Sequence, residues 1–241
     1  MSVSQHTIAG TVLTMPVRIR RSIQRAAMFS VDADAAQRMI DYSGLKVCRI
    51  RPDRAVVVLI LMRYLDGDLG VYWEYGTNVM VNRPGSNASG LRALGDAVAF
   101  VHHLPVDQDF TLEAGTKIWG YPKVMADFDI REGRRFGADV TIDGRFAVGL
   151  EFSPGLPVPA RLMSHMSEQS TYSCRDGVLR ETVGNFSLSG VRCRPGGVRV
   201  RLGDHPYAKE LAALNMSKHA LMSTFAENVE ASFGDAREVQ R

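Results

Sequence analysis

The sequence predicts a single α+β domain on a large antiparallel sheet, curled into a barrel or cone, with only a few helices. Three observations predict it. Strand-like segments clearly outnumber helical ones, and helices do not alternate with them as parallel βαβ units require. The pairs Glu132-Gly133, Asp143-Gly144, Asp176-Gly177 and Gly196-Gly197 each sit between strand-like segments, as in a run of hairpins. At 241 residues the chain can bury a substantial core, and no repeat, linker or low-complexity tract divides it, so residues 1–241 read as one domain.

Taken in order, the first clear element is a helix over roughly 33–43. Ala35, Met39 and Tyr42 recur at i, i+4, i+7, and Ala36 and Ile40 widen the same apolar face. Asp32 or Asp34 can cap its start, and Gly44 stops it. Val56–Met62 is a continuous apolar run with β-branched residues at its head, which suits a buried strand. Val71–Tyr75 is its partner across the turn Asp66–Gly70, and Asn82–Gly90 is a loop by composition. Gly203-Asp204-His205-Pro206 opens a second helix near 206–214, with proline in its first turn. At the end, Val229, Ala231 and Phe233 alternate with Glu230 and Ser232 as a last strand.

Composition narrows the function classes. Hydrophobic residues at 45% and charged residues at 23% are ordinary globular values. The net charge is only +3, and the basic cluster Arg18, Arg20, Arg21, Arg25 has no interleaved aromatics, so nucleic acid is not an expected partner. The N-terminus lacks the features of a signal peptide, and no run approaches the roughly 18 apolar residues of a membrane span. Cys48, Cys174 and Cys193 are scattered and read as reduced thiols of a cytoplasmic protein. His102 and His103 are adjacent, so on a regular strand they point opposite ways, and no metal site is expected. Phosphate-binding loops and nucleophile elbows are absent as well, and no cofactor is expected.

The informative stretch is 117–130, KIWGYPKVMADFDI. Val124, Ala126, Phe128 and Ile130 share one face; Lys123, Met125, Asp127 and Asp129 share the other. Pro122 fixes its own φ and pushes Tyr121 toward extended geometry, so Lys123 sits at the stiff entrance of a strand. The plain reading is a lysine on the wet face of an edge strand.

Gly115-Thr116-Lys117-Ile118-Trp119-Gly120-Tyr121-Pro122-Lys123 resembles the G-x-x-x-x-x-Y/F-P-K segment of the acetoacetate decarboxylase family, whose lysine forms a Schiff base. Trp73-Glu74-Tyr75-Gly76 resembles the family's strand with an active-site glutamate, and His219–Phe233 resembles its closing helix and strand. The similarity is diffuse over most of the chain and sharp around 115–123.

The resemblance implies that Lys123 attacks a small keto acid and that the resulting imine drives decarboxylation. A free lysine has a pKa of about 10.4, so roughly one molecule in 2,500 carries the amine at pH 7. Burial in an apolar pocket lowers that value, which the neighbours Trp119, Val124 and Met125 would favour. Glu74 would be the acid/base. Arg20 or Arg21 would hold the substrate carboxylate, whose shape a guanidinium fork matches. Trp119, Tyr121 and Leu104 would be pocket walls, and a homo-oligomer is expected by analogy. The chain departs from the family twice. Val124 stands where a second lysine follows the Schiff-base lysine, and the preceding strand lacks an acid, its nearest match being Leu59. The alternatives are aldolase or dehydratase chemistry on the same imine, and a non-catalytic barrel that binds a small ligand.

Overall fold

The computed structural model describes residues 4–159 and 167–239. A short hairpin, β1 (Gln5–Ile8) and β2 (Thr11–Thr14), leads into the long strand β3 (Val17–Asp32). Along its start Val17 and Ile19 are buried while Arg18 and Arg20 are exposed, so the basic cluster is largely the outer face of a strand. Next come α1 (Ala33–Ile40) and a 3-10 turn over Asp41–Ser43, ended by Gly44 at φ 72°. Asp32 is the cap, accepting from the Ala35 amide at 2.7 Å, whereas Asp34 pairs with Arg49. Tyr42 departs from the expected apolar face and is exposed, because the tighter turn carries it off the helical stripe.

β4 (Arg54–Gly67), β5 (Tyr72–Val81) and β6 (Val98–Val106) form a meander. Then come α2 (Asp109–Trp119), β7 (Lys123–Met125), β8 (Asp127–Arg131), β9 (Phe136–Ile142) and β10 (Arg145–Phe152). The chain continues through β11 (Leu156–Pro157), β12 (Ser167–Arg175), β13 (Val178–Ser189), β14 (Arg192–Arg194) and β15 (Val198–Leu202). It ends with α3 (Pro206–Ala213), β16 (Met222–Phe233) and β17 (Arg237–Glu238).

The strands β16, β3, β4, β5, β6, β12 and β13 pair in that order, and β13 pairs back to β16, so seven strands close into a barrel. Closure satisfies backbone groups that an open sheet would expose at its edges. The expected antiparallel arrangement holds except at β6, whose pairings with β12 and β7 are parallel. A separate antiparallel sheet, β15-β10-β9-β8, packs on the outside. No helix among the described residues is long and apolar enough to cross a membrane.

Two expectations are corrected. Gly196-Gly197 is not a hairpin turn: β14 belongs to the barrel's sheet and β15 to the outer one, so the pair links two sheets. The stretch His219–Phe233 contains no helix; the strand begins at Met222, and the last helix is the earlier α3.

Alternation along β4 explains where the core sits. Val57, Leu59 and Leu61 point outward and join Ala138, Val140 and Ile142 between the barrel wall and the outer sheet. Each buried valine, leucine or isoleucine among them contributes about 1.5–3 kcal/mol. Ile60, Met62 and Tyr64 point into the barrel. The largest apolar cluster thus lies outside the wall, and the interior is free to hold a site.

Candidate active site

Side chains from all seven barrel strands surround a mostly apolar cavity of about 240 Å³. One end is closed by α2 and the β1–β2 hairpin, where Ile8 and Leu13 pack in one cluster with Ala114, Ile118 and Trp119. The Gln108 side chain caps α2 by accepting from the Thr111 amide at 2.8 Å, and Gly120, at φ 63°, ends it. Its buried residues are Thr111, Ala114, Gly115, Ile118 and Trp119, a stripe at helical spacing. The sequence reading missed this helix because two of the five are threonine and glycine, which weakens the apolar signal.

Beyond Gly120, Pro122 sends the chain into β7, where Lys123 lies opposite Leu104 of β6. The Lys123 side chain is only 3% exposed and enters the cavity. Its Nζ lies 2.9 Å from Glu74 Oε2 and donates to Thr111 Oγ1 at 2.8 Å. The other Glu74 oxygen accepts from the Tyr64 hydroxyl at 2.9 Å. The Tyr64 ring stacks on Tyr72 at 4.2 Å, and Lys123 Nζ lies 5.3 Å from the Tyr72 ring centre. Burial, reinforced by the Glu74 charge, pushes both phenols well above their ordinary range, so they stay protonated and able to donate.

A buried lysine–carboxylate pair is a weak way to stabilise a fold, since removing each ion from water costs several kcal/mol that their attraction must offset. An amine, a carboxylate and two phenols converging in an apolar cavity are instead the ingredients of acid/base and nucleophilic chemistry. The site also depends on a close approach. A Cβ on Gly115 would stand 2.5 Å from Lys123 Cε and 2.6 Å from Cδ. Gly115→Ala is therefore expected to push the amine off Glu74 and Thr111 and to lower turnover by about 10- to 100-fold, a displacement of order 1 Å being enough. Steady-state kinetics checks this; an unchanged rate would mean that the lysine tip relocates freely.

Trp119, Tyr121 and Leu104 line the cavity. The Trp119 indole N–H donates to the Gly234 carbonyl at 2.8 Å, and the Tyr121 hydroxyl lies 2.9 Å from Thr171 Oγ1. Arg20 and Arg21 do not line it. Arg20 is half exposed on the outer face, tied to Asp66 at 2.7 Å and Asp68 at 2.6 Å. Arg21 is also exposed, at an irregularity where β3 shifts register against β4. Val124 and Leu59 belong to the packing outside the wall, so neither of the two departures from the family pattern faces the amine. The residues of β4 that do face it are Ile60, Met62 and Tyr64.

Sequence reasoning missed Tyr64, Tyr72, Thr111 and Asn78. The Asn78 side chain lines the cavity, and its Oδ1 is buried without a hydrogen-bond partner among the described residues. Strand alternation could have found three of the four. With Glu74 inward, Tyr72 and Asn78 on the same strand follow, and Met62, opposite Glu74, brings Tyr64 with it.

A family model described as acetoacetate decarboxylase matches residues 14–236. No curated protein sequence matches significantly. Among solved structures, the acetoacetate decarboxylase of Legionella pneumophila subsp. pneumophila str. Philadelphia 1 is 17% identical with a TM-score of 0.70, over 93% of this chain and 87% of that one. The enduracididine biosynthesis enzyme MppR complexed with pyruvate is 16% identical with a TM-score of 0.59, over 95% and 92%. An acetoacetate decarboxylase-like enzyme from Sphingomonas wittichii RW1 is 16% identical with a TM-score of 0.56, over 92% and 93%. At these identities the likeness is one of fold.

Proposed function

The chain belongs to the acetoacetate decarboxylase family, and from that premise we propose that it is an imine-forming carbon–carbon lyase acting on a small keto acid, with Lys123 as nucleophile. The observation that carries the reading is the buried Lys123–Glu74 contact at 2.9 Å inside an otherwise mostly apolar cavity. Lys123 must lose a proton before it can attack, and the Glu74 carboxylate is an acceptor within reach. The amine adds to the substrate carbonyl carbon, Glu74 gives the proton it took to the departing hydroxyl so that water leaves, and the protonated imine draws the electron pair from the breaking C–C bond β to nitrogen. CO2 departs and leaves an enamine. A proton taken up from solvent is passed to the enamine carbon through Glu74, which is hydrogen-bonded to Tyr64. Water then hydrolyses the imine and frees Lys123.

A second reading is favoured by one feature of the lining. Lys123 is the only cation among the described residues that surround the cavity, and the other polar groups are neutral apart from Glu74. Among the described residues that line the cavity, a substrate carboxylate would have no arginine to meet it. Retro-aldol cleavage or dehydration of an uncharged carbonyl compound needs none, and Asn78, with its free amide oxygen, suits a hydroxyl donor.

The test is to incubate the protein with keto acids and with hydroxy ketones, reduce with borohydride, and weigh the peptide that holds Lys123. A mass gain equal to the reduced adduct is expected, and release of CO2 or of aldehyde then assigns the reaction. If no candidate from either class adds mass at Lys123, the imine mechanism fails and a non-catalytic ligand-binding barrel takes its place.

A further inference from the structure

We propose that His102, His103 and Glu210 form a binding site for a divalent first-row transition-metal ion of zinc-like preference, on the outer wall of the barrel. On a regular strand two adjacent histidines would face opposite ways. Here β6 carries a bulge: Thr77 of β5 faces His103 and Asn78 faces Val101, so His102 is the extra residue. Val101 and Leu104 line the cavity, and both histidines between them turn to the other side of the wall, their rings 4.2 Å apart. There α3 brings Glu210 over them, and a single carboxylate oxygen, Oε2, lies 2.8 Å from Nε2 of each ring.

The three donor atoms lie within 4.8 Å of one another. An ion bound by imidazole nitrogens at about 2.0–2.1 Å and by a carboxylate oxygen at about 2.0–2.2 Å sets tetrahedral neighbours roughly 3.3–3.5 Å apart. To reach that spacing from 2.8 Å, Glu210 withdraws by about half an ångström. Its side chain is 44% exposed on a short surface helix and has room to do so. That exposure also leaves the remaining coordination positions open to water.

The surroundings suit ligation. The Tyr42 hydroxyl lies 3.0 Å from His102 Nδ1 and can hold that ring from behind, as outer partners of metal-bound histidines do. The Tyr207 ring lies flat on His103, with centroids 3.5 Å apart, and fixes its plane. The N2O donor set suits zinc and its first-row neighbours better than calcium or magnesium, which prefer oxygen alone.

The test uses the untagged protein, stripped with chelator, dialysed and titrated with zinc chloride and separately with cobalt chloride. One equivalent per chain is expected, with a visible cobalt spectrum indicating nitrogen ligands. Glu210→Ala, at an exposed helical position, should keep the circular-dichroism spectrum and weaken uptake at least roughly ten-fold. No uptake by the wild type, or a smaller loss in Glu210→Ala, overturns the site and leaves the three groups a hydrogen-bonded trio. The imine test reads a different residue on the other side of the wall, so the two proposals fail separately.

Discussion

Lys123→Met is expected to erase the borohydride-trapped adduct and to lower turnover by roughly 10^4-fold or more, the scale that loss of a covalent nucleophile carries. Methionine keeps the unbranched shape in the buried slot beside Gly115 but cannot form an imine. The same change has a signature in stability. It strands the Glu74 carboxylate in an apolar cavity with, among the described residues, only the Tyr64 hydroxyl as hydrogen-bond partner. Leaving one ion of a buried pair unpaired costs about 3–5 kcal/mol. Lys123→Met combined with Glu74→Gln should recover most of the lost stability and none of the activity. Denaturant unfolding of the three proteins, paired with adduct mass, reads both effects. A trapped adduct that persists in Lys123→Met would show that another amine does the chemistry.

Glu74→Gln is expected to separate two steps that Lys123→Met removes together. Glutamine fills the same space and can keep a contact with Tyr64, but it cannot pass a proton to the departing hydroxyl or to the enamine carbon. Loss of a general acid/base lowers turnover by about 10^2- to 10^4-fold. Imine formation should survive, because the nucleophile Lys123 and its contact with Thr111 are retained. The expected pattern is a trapped adduct at Lys123 with little product. Turnover equal to wild type would reduce Glu74 to a counter-ion. Loss of trapping in parallel with turnover would mean that the carboxylate is needed for attack itself.

The boundaries of what the sequence revealed follow from how far its signals reach. Local signals held: Asp32 and Gly44 bound the first helix, Pro206 opens the last, and Glu132-Gly133, Asp143-Gly144 and Asp176-Gly177 join paired strands. Turn and cap chemistry acts over a few residues and is written there. α2 escaped notice because its buried stripe includes Thr111 and Gly115. Both are there for Lys123, one as an acceptor and the other for its missing side chain, so the demands of the site blurred the pattern of the helix. The arginine expectation failed because residue type alone does not say which face a strand presents, and Arg20 faces solvent and two aspartates.

By itself the sequence determined the strand-rich α+β class, the stiff Tyr121-Pro122 entry to Lys123 and the family likeness that joined Lys123 to Glu74. Only the tertiary structure decided that the sheet closes on itself through β13 and β16, that β6 takes parallel partners, and that Tyr64, Tyr72 and Thr111 gather around the amine. It also decided that His102 and His103 face the same way. The physical reason is common to these cases. Facing follows strand register, and register is set by pairing between segments far apart in the chain, where one extra residue in a ladder reverses the side on which the following side chains lie.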